Sequence, residues 1–255
     1  MFLFYKSDEK SMREWIKTDG ADVNARDSSG NTHLFAQTDE GSVRALIEAG
    51  ADVNAKNHRG YAPLHVHKNE KIIKILIEAG ADVNVKQSRS YHTPLYYQRE
   101  EEPVRLLIKS GADVNVKFRW GHNLLHMHQN ERIVKMLIEA GADVNERDDN
   151  GYPPLHMQKE EGTIRLLIEA GADVNVRNLW GETPVMYNYI VKRVVKNMAS
   201  EKITRFIRNC KWWKLHKLTK TFAFNTWYCG EEDGNGGGTG RKVDHKRIMD
   251  TKFTR

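Results

Sequence analysis

Histidine recurs at one point of a repeating pattern in this sequence of 255 residues, and neutral imidazole is the commonest metal ligand in proteins. The recurring residues are His65, His67, His126, His128 and His156. Several imidazoles could hold a zinc ion if they converged on one point. Positions on neighbouring packed helices, however, are separated by about 8–10 Å, too far for one small ion to be shared easily. We therefore expect no metal site.

Other motifs that would indicate catalysis are missing. The sequence has no nucleophile motif, no phosphate-binding loop and no HExxH run. The Gly-rich stretch at 234–240 lacks the flanking strand and helix of a nucleotide site and has the composition of a linker. Cys210 and Cys229 have no recognised zinc-ligand spacing. We expect no catalytic residue, no cofactor and no enzymatic activity.

The histidines lie in repeats of about thirty residues, each of which is marked by the sequence Gly-Ala-Asp-Val-Asn. Its glycines follow one another at steps of 30, 30, 31, 30 and 30 residues. Before each Gly, apolar residues three and four apart predict one face of a helix, which the Gly then ends. A polar turn follows, and Thr-Pro at 93–94 and at 183–184 predicts the start of another helix. Each unit is therefore predicted to be helix, turn, helix and then a projecting finger.

In these residues the sequence resembles ankyrin repeats, over about residues 1–200. The resemblance also rests on four degenerate copies of a Thr-Pro-Leu-His motif, at 62–65, 93–96, 123–126 and 153–156. It implies an all-α solenoid of helix-turn-helix units with projecting β-hairpin-like fingers, about seven units including caps. It also implies that the motif's His forms structural hydrogen bonds between repeats. The usual period of the family is about 33 residues, so we expect first helices shorter by about one turn and a first-helix face that is more polar than usual.

Substitutions in the outermost helices predict where the array ends. Internal helices are apolar at the positions seven, five, four and three before their Gly. The first helix has Arg13 and Lys17 at two of these positions, and the last has Lys196 and Asn197 at the other two. We therefore predict an N-terminal capping repeat at 1–25, five repeats at 26–177 and a C-terminal capping repeat at 178–200.

The net charge of +6 is concentrated near the C-terminus. Residues 202–255 carry 13 Lys or Arg and 5 Asp or Glu, a balance of +8, against −2 for residues 1–201. Residues 201–229 are predicted to be a basic, aromatic amphipathic tail that packs on the last repeat, lies on an anionic membrane or, less favoured, binds nucleic acid. Candidates for contact with an anionic surface are Lys202, Arg205, Arg208, Lys211, Trp212, Trp213, Lys214 and Lys217. We expect residues 230–255 to be disordered.

The finger tips differ most between units. They read KFRWG at 117–121 and RNLWG at 177–181, against RDSSG at 26–30. Exposed aromatic residues are typical interface anchors, whereas packing between neighbouring fingers is the alternative. The candidates for contact with a partner are Arg59, Arg89, Phe118, Trp120, Leu179 and Trp180. Carboxylates at the end of each first helix predict an acidic row, either a solvated face or a contact for a basic partner.

The resemblance implies a non-enzymatic scaffold that binds a protein through its finger tips and its shortened inner helix face. The alternative is a membrane-associated adaptor anchored by the tail, and nucleic acid is the less favoured partner. The chain is 39% hydrophobic and 29% charged, and it begins without the apolar core of a secretory signal. We expect a cytoplasmic monomer. Short-period arrays of this kind resemble those of intracellular bacteria and large DNA viruses, which makes delivery into a host cell a further hypothesis.

Overall fold

The computed structural model describes residues 8–209, with side chains through residue 202. All regular elements in this part of the chain are helices, as predicted. Unit 1 contributes the helix Glu9–Ile16, and unit 7 contributes Pro184–Tyr187 and Tyr189–Asn209. Units 2 to 6 each pair a first helix with a second: His33–Ala36 with Glu40–Glu48, Pro63–Val66 with Glu70–Glu78, Pro94–Tyr97 with Glu101–Lys109, Leu124–Met127 with Glu131–Glu139, and Pro154–Met157 with Glu161–Glu169.

The first helices contain only 4 residues, about one turn, which confirms the predicted shortening. In units 2, 3 and 5 the sequence ends the first helix early, because a residue whose side chain caps the second helix follows almost at once. The side chains of Asn69 and Asn130 each accept a hydrogen bond at 2.9 Å from the backbone N–H two residues later. In unit 4 the first helix is a 3₁₀ helix, Pro94–Tyr97.

The apolar interior is continuous from unit to unit. Successive second helices pack against one another, and so do neighbouring first helices, which gives two helical layers. The motif's leucines lie between the layers at 0% exposure: Leu34, Leu64, Leu95, Leu125 and Leu155. Two apolar residues of each second helix are equally buried, as with Val134 and Leu137. No unit could bury these residues alone, so the stack is the source of the fold's stability.

A ladder of asparagines joins the turns of neighbouring units. The side-chain amide of Asn84 donates from Nδ2 to Gly111 O at 2.9 Å, and Asn84 Oδ1 accepts from Asp113 N–H at 2.7 Å. The same two bonds to the next unit are made by Asn24, Asn54, Asn115 and Asn145. The amide side chain supplies a donor and an acceptor at once, which accounts for the Asn in every copy of the repeated sequence. We call these five residues the Asn ladder.

Buried histidines also bond across units, as the resemblance implied. The Nε2 atoms of His65, His126 and His156 donate to backbone carbonyls of the next unit at 3.1, 2.9 and 3.2 Å. A second buried row bonds in the opposite direction: His67 Nε2 donates to Leu34 O at 2.7 Å, and Gln158 Nε2 donates to Leu125 O at 2.5 Å. Four of the five histidines that suggested a metal site are therefore structural hydrogen-bonding groups.

His128 occupies the second row but bonds to nothing there. Its Nε2 has no hydrogen-bond partner among the described residues, and its side chain is 3% exposed. The acceptor expected from the repeat register is Leu95 O, which in the 3₁₀ helix of unit 4 accepts the N–H of Gln98. Burial, aided by the nearby Arg99 guanidinium, lowers the pKa of His128 to about 4.

The ends of the array are more exposed than its interior. Lys17 and Lys196 are exposed, while Met12 and Val194 on the same helices are buried. Residue 200, the predicted end of the last capping repeat, lies inside the helix Tyr189–Asn209. No helix among residues 8–209 combines the length and apolar character needed to cross a membrane. The predicted division at 25, 177 and 200 stays a prediction.

Most of the predicted tail lies outside the described residues. Lys202 is exposed on the last helix, and Arg205 and Arg208 belong to the same helix. The remaining tail candidates, together with residues 230–255, are not described: Lys211, Trp212, Trp213, Lys214 and Lys217.

The Asn ladder predicts a specific loss of stability. Replacing Asn84 with Ala removes two hydrogen bonds between units and should lower the free energy of unfolding by about 1–2 kcal/mol. Asn175→Ala is the matched control, because Asn175 stands at the same place in the last copy and no bond of its side chain to a further unit exists among residues 8–202. Urea unfolding followed by circular dichroism measures both. An equal loss in the two variants would show that the ladder adds nothing.

The buried His128 predicts sensitivity to acid. Its pKa is depressed in the folded chain, so the unfolded chain binds the proton first and stability is lost as pH falls from about 6.5 toward 4. His128→Gln installs the residue found at this position in units 4 and 6, Gln98 and Gln158. We expect the variant to lose about 2 kcal/mol less than the wild type between pH 7 and pH 5, as measured by urea unfolding. Parallel pH profiles for the two proteins would contradict this account.

Candidate functional site

Six fingers project between successive units, at residues 26–31, 56–61, 86–92, 117–122, 147–152 and 177–182, and we number them 1 to 6 in that order. Each is closed by a backbone hydrogen bond from its second residue to its last, as from Asn57 N–H to Tyr61 O at 2.9 Å. Residues 8–209 contain no β-strand, so the β-hairpin-like fingers are turns. Finger 3 is one residue longer than the others, which accounts for the single step of 31 residues.

The second residue is polar in five of the six fingers, and there it is buried or half-buried. Asp148 Oδ1, for example, accepts the backbone N–H groups of Asn150 and Tyr152 at 2.9 and 2.8 Å. The same position holds Asp27, Asn57, Gln87 and Asn178, whose side chains accept in the same way. This position therefore shapes the finger from inside.

Neighbouring fingers are linked to one another. Arg119 N–H donates to Ser90 O at 3.2 Å, and Asp149 N–H donates to Trp120 O at 3.0 Å. Basic side chains add further links, since Arg26 donates to Lys56 O at 2.6 Å and Lys56 Nζ donates to Lys86 O at 3.3 Å. The fingers form one hydrogen-bonded frame, so their tips are held at fixed spacing.

Phe118 is buried, so its selection as an exposed contact residue was wrong. Its side chain is 5% exposed and packs against His92 and Tyr96, with ring centroids 5.2 and 5.0 Å away. The physical reason is its position, the second of finger 4, which points inward in all the fingers. A comparison of the fingers by register, rather than by polarity alone, would have revealed this.

The other finger candidates are exposed. Trp120, Leu179 and Trp180 are 61%, 70% and 62% exposed, and Arg59 and Arg89 are also on the surface. They do not form one cluster, because Trp120 lies on finger 4 and Trp180 on finger 6. The Trp180 ring packs 5.5 Å from Tyr152 of finger 5, whereas Arg119 covers the Trp120 ring at 5.0 Å.

Sequence reasoning missed an apolar row on the first helices. The last residue of each first helix is apolar and at least partly exposed: Ala36, Val66, Tyr97, Met127, Met157 and Tyr187. The face was expected to be more polar than usual because the repeat is about three residues shorter than the usual period of the family. We call these six residues the apolar row.

The predicted acidic row lies at the N-termini of the second helices, where carboxylates are favourable. Several of its members are paired between units: Lys71 with Glu40 at 3.1 Å and Arg132 with Glu101 at 2.9 Å. A surface groove of about 420 Å³ is lined by Lys68, Glu70, Glu100, Glu101, Glu102 and Pro103. These exposed pairs contribute little stability each, and the row is partly neutralised by its own partners.

Comparisons with known proteins agree with this architecture. A family model described as ankyrin repeats in three copies matches residues 3–87 and 95–178, more than half of the chain. Among solved structures, the ankyrin repeat domain of Bcl-3, described as a unique member of the IkappaB protein family, is similar with a TM-score of 0.59 and 21% identity. That match covers 74% of this chain and 91% of the Bcl-3 chain, and at this identity it shows the fold alone. No curated protein matches the sequence significantly.

Proposed function

Because this chain belongs to the ankyrin-repeat family, we propose that it is a non-enzymatic scaffold whose finger tips and apolar row bind a protein partner. Ankyrin repeats are generally protein–protein interaction modules, and the fold is typically not catalytic. The binding surface proposed for this chain comprises the fingers and the first helices that follow them.

The observation that carries the proposal is the exposure of large apolar side chains on a rigid frame. Trp120 and Trp180 each leave more than half of their surface to water, and the apolar row adds Met127, Met157 and Tyr187. Aromatic and Met side chains are enriched in the centres of protein interfaces. Their backbones are fixed by hydrogen bonds between units, so binding costs little conformational ordering. A monomeric, cytoplasmic protein fits this proposal, and both properties stay predictions.

Replacing the two exposed tryptophans tests the proposal. Trp120→Ala together with Trp180→Ala should weaken capture of a specific partner from cytosol by at least about tenfold, because such residues commonly dominate binding energy. The control is Lys74→Ala with Lys135→Ala, on second helices, whose side chains are 63% and 62% exposed and so match the tryptophans. Quantitative pull-down measures both, with circular dichroism to check folding. Equal capture by the two folded variants would exclude the finger tips.

The alternative, anchoring to an anionic membrane, rests on the sequence of residues 202–228. If it holds, vesicles containing phosphatidylserine should co-sediment the full chain, and a chain ending at Asn209 should stay in solution. That end point preserves the helix Tyr189–Asn209. Co-sedimentation of neither chain would exclude the tail as an anchor, and co-sedimentation of both would place any anchor before residue 210.

A further inference from the structure

Positive charge is concentrated on three consecutive fingers. The segments 55–66, 85–99 and 116–130, which contain fingers 2, 3 and 4 with the first helices that follow, hold seven Lys or Arg and no Asp or Glu. Each of the other fingers carries at least one carboxylate: Asp27 in finger 1, Asp148 and Asp149 in finger 5, and Glu182 in finger 6. The body as a whole is not basic, so the concentration belongs to this surface. We call fingers 2 to 4 the basic platform.

Three guanidinium groups of the basic platform have no carboxylate partner among residues 8–202. Lys117 is paired with Glu146 at 2.5 Å, and Lys56 donates to the backbone of finger 3. No Asp or Glu among residues 8–202 forms an ion pair with Arg59, Arg89 or Arg119. Like charges held together on a rigid surface repel one another and attract anions. The fork-shaped guanidinium is also the side chain best suited to bind carboxylates in pairs of hydrogen bonds.

Two exposed aromatic residues stand among these arginines. Tyr91 on finger 3 and Trp120 on finger 4 are 55% and 61% exposed. They are also the two non-glycine residues with positive φ among residues 8–209, at 60° and 67°. Glycine holds the position of Tyr91 in all the other fingers, with φ between 73° and 80°.

The left-handed conformation is unfavourable for a residue with a Cβ. Tyr91 keeps it without gaining burial, since more than half of its side chain faces water. Unfavourable backbone conformations that persist at exposed positions are associated with binding sites. The conformation and the exposure together therefore point to a binding role for the Tyr91 side chain.

We infer that the basic platform binds an acidic polypeptide segment, with Arg59, Arg89 and Arg119 contacting its carboxylates and with Tyr91 and Trp120 contacting its apolar side chains. This inference rests on the proposed function and names the chemistry of the partner. Neighbouring units stand about 8–10 Å apart. Carboxylates three residues apart in an extended chain are separated by about 10 Å, so such a segment matches the spacing of successive fingers.

A nucleic acid is the less suitable ligand. The same units also carry carboxylates, including Glu70 and the run Glu100 to Glu102 that lines the surface groove. This negative charge disfavours a long polyanion more than a short acidic segment. The unpaired cations are also few, and binding to a nucleic acid backbone depends on the number of phosphates neutralised.

Synthetic copolymers test the inference with the intact chain. We expect a short random copolymer of Glu and Tyr to bind more tightly than polyglutamate of the same length, and both to bind more tightly than polylysine or a 20-base-pair DNA duplex, by fluorescence anisotropy. Changing Arg59, Arg89 and Arg119 together to Ala should weaken copolymer binding by about tenfold, because exposed ion pairs each contribute modestly. The matched control changes Lys74, Lys109 and Lys135 of the second helices to Ala, which removes the same net charge elsewhere.

Tyr91→Gly separates binding from folding. The variant restores the residue used in the other fingers, so its thermal midpoint should not fall, while its affinity for the copolymer should fall at least threefold. Equal losses in the two triple variants, tighter binding to the DNA duplex, or unchanged affinity in Tyr91→Gly would overturn the inference. The proposed function would still stand if loss of the tryptophans abolished capture of a partner that the arginine variant retains.

Discussion

The architecture depends on Asn side chains, each of which forms hydrogen bonds to the equivalent turn of the next repeat. Each member of the Asn ladder satisfies one N–H and one C=O of the neighbouring unit, so the turn of one repeat completes the turn of the next. Hydrophobic burial supplies most of the free energy of stacking, but it is non-directional. The ladder fixes the register at which the leucines meet, and through that register it fixes the fingers. The linked fingers and the apolar row can present a surface because this spacing does not vary.

Much of the fold follows from the sequence alone. The repeated glycines predicted the ends of the second helices, and the short period of about thirty residues predicted short first helices. The motif's leucines lie at the centre of the core. These features are predictable because each has a local cause, such as a left-handed Gly or a Pro at a helix start. The buried histidines also followed, although through the family resemblance rather than through their spacing.

The surface was less predictable, because exposure depends on register and on neighbouring units. Phe118 looked like a contact residue by its type, yet its position points inward. The apolar row could not be recognised from residues adjacent in sequence, because its members are about thirty residues apart and are flanked by polar side chains. The strain at Tyr91 could be suspected from the missing Gly, but only the dihedral angle shows that Tyr adopts the conformation reserved for Gly. The polar interior gives a similar case: His128 Nε2 has no partner among the described residues, and its expected acceptor, Leu95 O, lies in the 3₁₀ helix of the preceding unit.

The extra residue of finger 3 bears on how such a protein can change. Despite that insertion, the bonds from Asn84 to the following unit have nearly the same lengths as those elsewhere in the ladder, and the core leucine after the finger remains fully buried. The extra residue therefore leaves the ladder and the core leucine in place, although the first helix that follows it is a 3₁₀ helix. Mutation can therefore change the length or the composition of a single finger tip while the ladder and the core leucines keep their contacts. The same property would allow one tip at a time to be randomised in an engineered library while the rest of the molecule stays constant.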